Sequence, residues 1–255
     1  MLCHRILWSA VLCIGLLAAG GKLGEFRSAI THRRTVLGLL ASGFCVSVNW
    51  GTFIWAVAMG RALDASLAYY VMPLVMLLLG VLFLKETLSG RQYAAIAVMA
   101  VAVALLTYDR GALPWVVVVL PISFGLYGLV RKLVVVDSIV GVTVETLLMA
   151  PFAMAYLLTR PDGGALVQGP PDIQALLVAC GPVTTLPLVL FGFGARRLPL
   201  STMGVLQYVN PTAQAVVAVA LLGEPLGRLQ LLTFALIWTG LLIYSLPTRP
   251  RVAQG

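Results

Sequence analysis

The stretch "MPLVMLLLGVLFLKE", Met72 to Glu86, begins an apolar run with a proline and closes it with a lysine and a glutamate. A second stretch, "NPTAQAVVAVALLGE" from Asn210 to Glu224, places the same proline the same distance before the same glutamate. Apolar runs of about 20 residues can cross the hydrocarbon core of a bilayer as helices. The sequence therefore predicts one membrane-helix unit that the chain contains twice.

The composition excludes an ordinary soluble domain. The 255 residues are 60% hydrophobic and only 10% charged, and the mean hydropathy is +1.01, whereas soluble domains carry about 25% charged residues. Runs such as "AAIAVMAVAVALL" do not alternate as barrel strands do. The net charge of +8 does not indicate nucleic acid, because the basic residues are dispersed at helix ends. The expected fold class is an all-α polytopic membrane protein.

Apolar runs bounded by charge, proline or glycine predict nine membrane spans. They cover residues 4–20, 36–58, 65–84, 92–108, 112–130, 140–158, 174–194, 200–222 and 229–247. The Pro- and Gly-rich segment 159–173 is expected to form an exposed loop. Twelve of the 17 Lys and Arg residues fall on one side of these spans and five on the other. The positive-inside rule therefore places the C-terminus and the 21–35 loop in the cytoplasm.

A shift of 138 residues extends the repeat on both sides of the proline. The aligned identities are Tyr70 with Tyr208, Pro73 with Pro211, Glu86 with Glu224, Leu88 with Leu226 and Gln92 with Gln230. Glu86 falls at the cytoplasmic end of its span and Glu224 at the opposite end. The two copies are therefore inverted, which is a common plan of secondary transporters. A duplicated hairpin with only a packing role is the alternative.

The repeat also predicts how the chain is divided. The second half contains five spans and the first half four, although inversion by duplication needs an odd number in each unit. We therefore expect the chain to lack the first helix of a ten-helix plan, through a late start or a natural truncation. The predicted divisions are a first repeat at 1–110, a second repeat at 111–248 and a cytoplasmic tail at 249–255.

Five segments resemble the RarD branch of the EamA family, in the drug/metabolite transporter superfamily. They are "CHRILWSAV", "NWGTFIWAVAMGRALDASLAYYVMPLV", "FGLYGLVRK", "VETLLMAP" and "LSTMGVLQYVNPTAQAVVAVALLGEPL". The resemblance runs from His4 to about Leu246. It implies two inverted five-helix repeats in a bacterial inner membrane and a permease activity toward small metabolites or drugs. Family members carry a further helix ahead of the His4-Arg5 pair.

Ionisable residues within membrane helices are costly and are therefore candidates for function. Glu145 lies one to two turns inside a predicted span, where its carboxylate could bind a cation or a substrate amine, or carry a proton. A structural pair with a neighbouring helix is the alternative. Arg5, beside His4, could hold a carboxylate or phosphate through its planar fork, or could extend to the membrane interface.

Polar and aromatic residues supply the other candidates for a substrate pathway. "NWGTFIW" places Asn49, Trp50, Phe53 and Trp55 on one span, where they fit a cavity with aromatic walls or, for the tryptophans, an interface anchor. Pro73 and Pro211 are candidate hinges because proline frees a carbonyl one turn back. The polar residues around these prolines are Tyr69, Tyr70, Gln207, Tyr208 and Asn210. Weaker candidates are Tyr127, Thr184, Thr185 and Gln214, since such residues often only bond across helices.

The remaining signals indicate structure. Glu86 and Glu224 are expected to cap the helix that follows each of them. Cys3, Cys13, Cys45 and Cys180 show no ligand spacing, so no metal site is predicted.

No hydrolase or phosphate-loop motif is present, so we expect neither an enzyme nor a cofactor. The expected partners are a small-molecule substrate and the lipid bilayer, without nucleic acid. Proton or ion coupling and a homodimer are left open. The alternatives to a permease are a membrane scaffold or sensor, and an inactive truncated transporter.

Overall fold

The computed structural model describes residues 1–109, 115–159, 169–213, 216 and 227–246. The regular structure of these residues is helical throughout. Their helices are α1 (Leu2–Ala19), α2 (Leu23–Thr31), α3 (Arg33–Ala58), α4 (Ala62–Leu84), α5 (Gly90–Asp109), α6 (Trp115–Leu133), α7 (Ser138–Leu158), α8 (Pro171–Arg197), α9 (Leu200–Leu206) and α10 (Arg228–Ser245). The all-α fold class is confirmed.

Most predicted spans correspond to one helix each. Within the described part of the chain, six helices are long and apolar enough to cross a membrane: α1, α3, α4, α6, α7 and α8. Shorter apolar segments lie within α5 and α10, at Gly90–Leu105 and Leu231–Ser245. The predicted span 200–222 begins as α9, and its residues 214–215 and 217–222 lie outside the described part of the chain. The tail at 249–255 and most of the predicted loop 159–173 also lie outside it.

Helix α2 was not predicted, because it lies in the segment expected to be the 21–35 loop. With nine residues it is too short for a search based on membrane-length apolar runs. Phe26 and Ala29 attach it to the rest of the chain by packing with Leu17 of α1 and Leu39 of α3. The segment is therefore an amphipathic helix with one anchored apolar face.

The chain forms two compact units, and neither is a single sequence half. The first comprises Met1–Gly60 and Ser123–Leu198, and the second comprises Arg61–Ile122 and Pro199–Gly255. In the first unit α1 packs on α7 and α8, and α3 packs on α7. In the second, α4 packs on α9 and α5 on α10. Each unit therefore combines helices from both predicted repeats, whose boundaries stay a prediction.

The backbone at the three passages between units has distinctive residues. Gly60, the last residue before the first passage, has φ +71°, which lies in a region that glycine tolerates and other residues rarely adopt. Pro121 lies within α6, two residues before Ser123. Pro199 directly follows the third passage and precedes α9.

The second unit has a core in which aligned positions of the repeat meet. Tyr70 and Tyr208, which the 138-residue shift equates, belong to one buried cluster with Met99 and Ile237. The helices approach closely at Gly204, where a side-chain carbon would lie 2.7 Å from the Pro73 carbonyl oxygen. The pairing of α4 with α9 therefore depends on a glycine at this crossing.

Glu86 caps a helix, but not the helix that follows it. Its Oε1 accepts a hydrogen bond from the backbone N–H of Leu200 at 2.6 Å, and its Oε2 accepts one from Ser201 at 2.9 Å. These donors begin α9. The N-terminus of α5 is capped instead by Ser89 and Gln92. The Gln92 side-chain oxygen accepts a hydrogen bond from the Ser89 backbone N–H, and the Ser89 hydroxyl accepts one from the Gln92 backbone N–H. Because this capping box already satisfies α5, the Glu86 carboxylate is available to α9. Glu224 lies outside the described residues.

Candidate functional site

A buried polar cluster links α3, α6 and α7 in the first unit. The Glu145 Oε1 atom accepts a hydrogen bond from the Ser42 hydroxyl at 2.5 Å and one from Arg131 Nη1 at 3.4 Å. Glu145 and Arg131 are each only 2% exposed. Glu145 lies two turns inside α7, as the sequence predicted, and the ion pair offsets the cost of burying its charge.

Arg131 is the site residue that sequence reasoning missed. It was counted among the basic residues of a cytoplasmic loop, but it lies in the last turn of α6 with its guanidinium buried. Nη2 donates to the Ser138 carbonyl at 3.3 Å. Added side-chain carbons at Gly141 and Gly192 would overlap the guanidinium. The signal that could have found it is the link of only four residues between α6 and α7, which makes the two helix ends neighbours.

Several buried polar atoms of the first unit have no protein partner among the described residues. They are the Tyr127 hydroxyl, Arg131 Nε, the Ser138 hydroxyl, Glu145 Oε2 and the Thr185 hydroxyl. Burying an unsatisfied polar group costs about 1–3 kcal/mol, so such atoms point to a water, a ligand or a proton.

A small cavity lies beside Glu145. Its volume of about 10 Å³ is enough for roughly one water molecule. Its lining residues are Ile6, Gly43, Val46, Ser47, Trp50, Glu145, Thr146, Met149 and Leu188. This conformation therefore leaves no room for a larger molecule at that point.

Three of the predicted site residues meet around Arg5. Arg5 Nε donates to the Thr184 hydroxyl of α8 at 3.0 Å. Its guanidinium carbon lies 5.0 Å from the centre of the Trp50 ring on α3, a distance that suits a cation–π contact. His4 is buried beside it. Arg5 is thus held by two other helices of the unit.

The predicted "NWGTFIW" residues divide between the interior and the surface. The Asn49 side-chain amide donates to the Ser123 hydroxyl at 3.2 Å, and both residues are buried. Phe53 is half-buried. Trp55 is 38% exposed and lies in the last turn of α3. This position suits an interface anchor.

The polar residues around the two prolines belong to the second unit. Tyr70 and Tyr208 are buried, and the Tyr208 hydroxyl has no partner within the described ranges. Tyr69, Gln207 and Asn210 are half-buried. Pro73 lies inside the continuous helix α4, and Pro211 is buried. Gln214 lies outside the described residues.

A polar cleft that was not predicted lies where α2 meets the start of α7. It has a volume of about 530 Å³ and is lined by Glu25, Ser28, Ala29, His32, Thr35, Val135, Val136, Asp137 and Arg196. Two contacts attach the link between α6 and α7 to its neighbours. Lys22 Nζ forms an ion pair with Asp137 Oδ2 at 2.6 Å, and Arg196 donates a hydrogen bond to the Val136 carbonyl at 3.0 Å.

Asp137 also caps α7, because its Oδ1 accepts from the Ile139 N–H at 3.0 Å. Partial burial favours the neutral carboxyl, but Lys22 and the Ile139 N–H outweigh it and lower the pKa of Asp137 below 3.8. The described residues contain no cluster of three or more His, Cys, Asp or Glu that could hold a metal ion.

Membrane-length helices around a buried, charged cluster define a multi-pass membrane protein. The model of the EamA-like transporter family matches residues 1–108 and 113–246. The chain therefore belongs to this family.

Individual relatives cover nearly the whole chain. An uncharacterized transporter of Pseudomonas aeruginosa is 41% identical over 95% of this chain and 82% of its own length. Protein RarD of Escherichia coli is 37% identical over 96% of this chain and 83% of its own length. A chloramphenicol-sensitive protein RarD of Pseudomonas aeruginosa is 31% identical over 94% of this chain and 82% of its own length. The resemblance to the RarD branch is confirmed.

A solved crystal structure has the same fold. It aligns with a TM-score of 0.73 at 18% identity and covers 96% of this chain and 86% of its own.

Proposed function

We propose that this protein is an inner-membrane permease that moves a small organic solute by alternating access, with its C-terminus in the cytoplasm. The observation that carries the proposal is the buried cluster of Ser42, Arg131 and Glu145 in helices of membrane length. Charges in such helices are costly and typically serve ion or substrate pathways. The description of the family and the names of two relatives, which are called uncharacterized transporters, support the same class.

In this proposal Glu145 is the group whose partner changes during transport. Its Oε1 is bound by Ser42 and Arg131, while its buried Oε2 has no protein partner among the described residues. A proton, an ion or a donor group of the solute can therefore bind Oε2 while Oε1 stays paired. Such binding weakens the attraction to Arg131 and favours a second arrangement of α6 and α7.

The other predicted residues form the pathway in this proposal. Arg5, Trp50, Asn49 and Thr184 contribute in the first unit, and Tyr69, Gln207 and Asn210 contribute in the second. The two repeats, at 1–110 and 111–248, are inverted relative to one another, and Pro73 and Pro211 are their helix hinges. Family matches over two successive stretches, 1–108 and 113–246, support this division. We propose no enzymatic reaction and no cofactor.

Flux through proteoliposomes tests the proposal. The full chain is reconstituted, and uptake of a library of labelled metabolites and drugs is compared with protein-free vesicles. We expect uptake of at least one compound, a loss of at least tenfold on Glu145→Gln, and no loss on Glu25→Gln, which removes an exposed carboxylate from α2. Absence of flux for every compound, with the chain folded, would instead support a membrane scaffold or sensor.

A further inference from the structure

We infer that the solute is an organic anion and that the fork of Arg5 binds its carboxylate or phosphate. This inference rests on the proposed permease function, because it names the substrate class of the same site. The residues that carry it are Arg5, its two neutral partners Trp50 and Thr184, and the ion pair that neutralises Glu145.

The two charges of the buried polar cluster neutralise one another. Glu145 is paired with Arg131, and both side chains are almost fully buried, so these two charges compensate one another. A second ion pair of the first unit joins Lys22 and Asp137. Arg5 belongs to neither pair, and no acidic side chain among the described residues forms an ion pair with it.

Arg5 is held by two neutral residues. Its Nε–H is bonded to Thr184, and its guanidinium lies near the Trp50 ring. Neither partner is anionic. The described residues offer Nη1 and Nη2 no hydrogen-bond acceptor, so the donors of the fork remain for a ligand. Two parallel donors of this kind match a carboxylate or phosphate.

The contacts of Arg5 favour a binding role over simple extension of its charge to the membrane interface. A side chain that only extends its charge into water needs no specific partner. Arg5 is half-buried and fixed by residues of α3 and α8, which reduces the side-chain freedom it would lose on binding. Trp50 both contacts Arg5 and lines the cavity beside Glu145, so an anion at the fork would lie near an aromatic wall.

Binding to the purified full chain in lipid nanodiscs tests the inference. The probes are benzoate, phenyl phosphate and the matched cation benzylammonium, and the readout is isothermal titration calorimetry. We expect at least one of the two anions to bind and benzylammonium not to bind. The Arg5→Gln variant should weaken anion binding at least tenfold, as expected for loss of a bidentate ionic contact.

Two further variants keep the result interpretable. Arg27→Gln removes an exposed positive charge from α2 and should leave binding unchanged. Thr184→Val keeps the Arg5 charge but removes its anchor, and should weaken binding less than Arg5→Gln does. If Arg5→Gln does not fold, the binding measured for Thr184→Val provides the test instead. Failure of both anions to bind, equal binding by Arg5→Gln, or binding of benzylammonium in preference to the anions would overturn the inference.

The same probes in proteoliposomes separate this inference from the permease function. Movement of benzylammonium without either anion would overturn the anion site and leave the permease standing. Saturable anion binding that Arg5→Gln abolishes, without flux of any compound, would support the anion site and contradict the permease.

Discussion

Arg131 at the end of α6 and Glu145 two turns inside α7 form a buried ion pair, with Nη1 3.4 Å from Oε1. They lie 14 positions apart in sequence, and only four residues link the two helices. The pair therefore joins the α6–α7 hairpin at its closed end, and its removal should affect stability as well as transport.

The pair should behave as a coupled unit in a double-mutant cycle. We expect Glu145→Gln and Arg131→Met each to destabilise the chain by about 3–5 kcal/mol, because each leaves a buried group without its partner. The double variant should recover most of that loss while flux stays absent. Denaturant unfolding in mixed micelles measures the cycle. Additive losses in the double variant would contradict coupling of the two side chains.

Gly141 should be required for the position of the Arg131 guanidinium. A side-chain carbon at this glycine would lie within the space of Nη1, and the buried pair gives the arginine no alternative position. We expect Gly141→Ala to cost about 1–3 kcal/mol, the usual range for overpacking a core. Gly15→Ala in α1 is the matched control, since nothing lies within 4 Å of its added carbon. Equal stabilities of the two variants would show that Arg131 can move aside.

The Glu86 carboxylate should stabilise the second unit through α9. Glu86→Ala removes both acceptors for the Leu200 and Ser201 N–H groups, and loss of a cap costs about 0.5–2 kcal/mol. Glu86→Gln retains one oxygen and should cost less. Thr87→Ala, at the exposed neighbouring residue, should have no effect on the unfolding temperature. Hydrogen exchange at Leu200 and Ser201 provides the local measurement, and unchanged protection in Glu86→Ala would be incompatible with a cap.

Asp137 should make stability depend on pH at the acidic end. Its folded-state pKa is lowered below 3.8, against the preference of a partly buried carboxyl for its neutral form, by Lys22 and the Ile139 N–H. The unfolded chain therefore takes up the proton at higher pH than the folded chain. The stabilisation that ionised Asp137 gives the folded chain is complete above the ordinary carboxyl pKa. It is lost as the pH falls through the lower pKa that Asp137 has in the folded chain.

The variant Asp137→Asn tests this dependence, because it keeps a capping oxygen and removes the charge. Its unfolding temperature should be lower than that of the native chain at pH 6, and the difference should shrink toward pH 3. A difference that stays constant across this range would attribute the effect to the cap and not to the pair with Lys22.

Hydropathy and proline spacing predicted the helices well because membrane spans follow from length and composition. Eight predicted spans correspond to helices of nearly the same bounds. Helix α2 was missed because its stability comes from the packing of Phe26 and Ala29, which no apolar run signals. Glu86 was expected to cap the helix that follows it, and that expectation is wrong: the helix that it caps begins 114 residues later, and only tertiary structure reveals that partner.

Only part of the candidate site could be predicted from the sequence. Glu145 is an isolated charge within an apolar run, so its cost in a membrane identifies it from sequence. Arg131 lies beside Lys132 at a helix end, where a basic residue normally indicates topology. Only the hydrogen bonds of Arg131 to Glu145 and Ser138 show that its side chain points inward.

Each of the three passages between the compact units contains or adjoins a residue with an unusual backbone. Gly60 adopts φ +71°, a torsion that most side chains oppose, while Pro121 and Pro199 each lack the N–H group that would continue a helical ladder. Gly60 marks its passage by a left-handed torsion, and the two prolines mark theirs by a missing donor. Gly60→Ala should therefore strain the chain and cost more stability than Gly15→Ala, although nothing lies within 4 Å of the added carbon at either glycine.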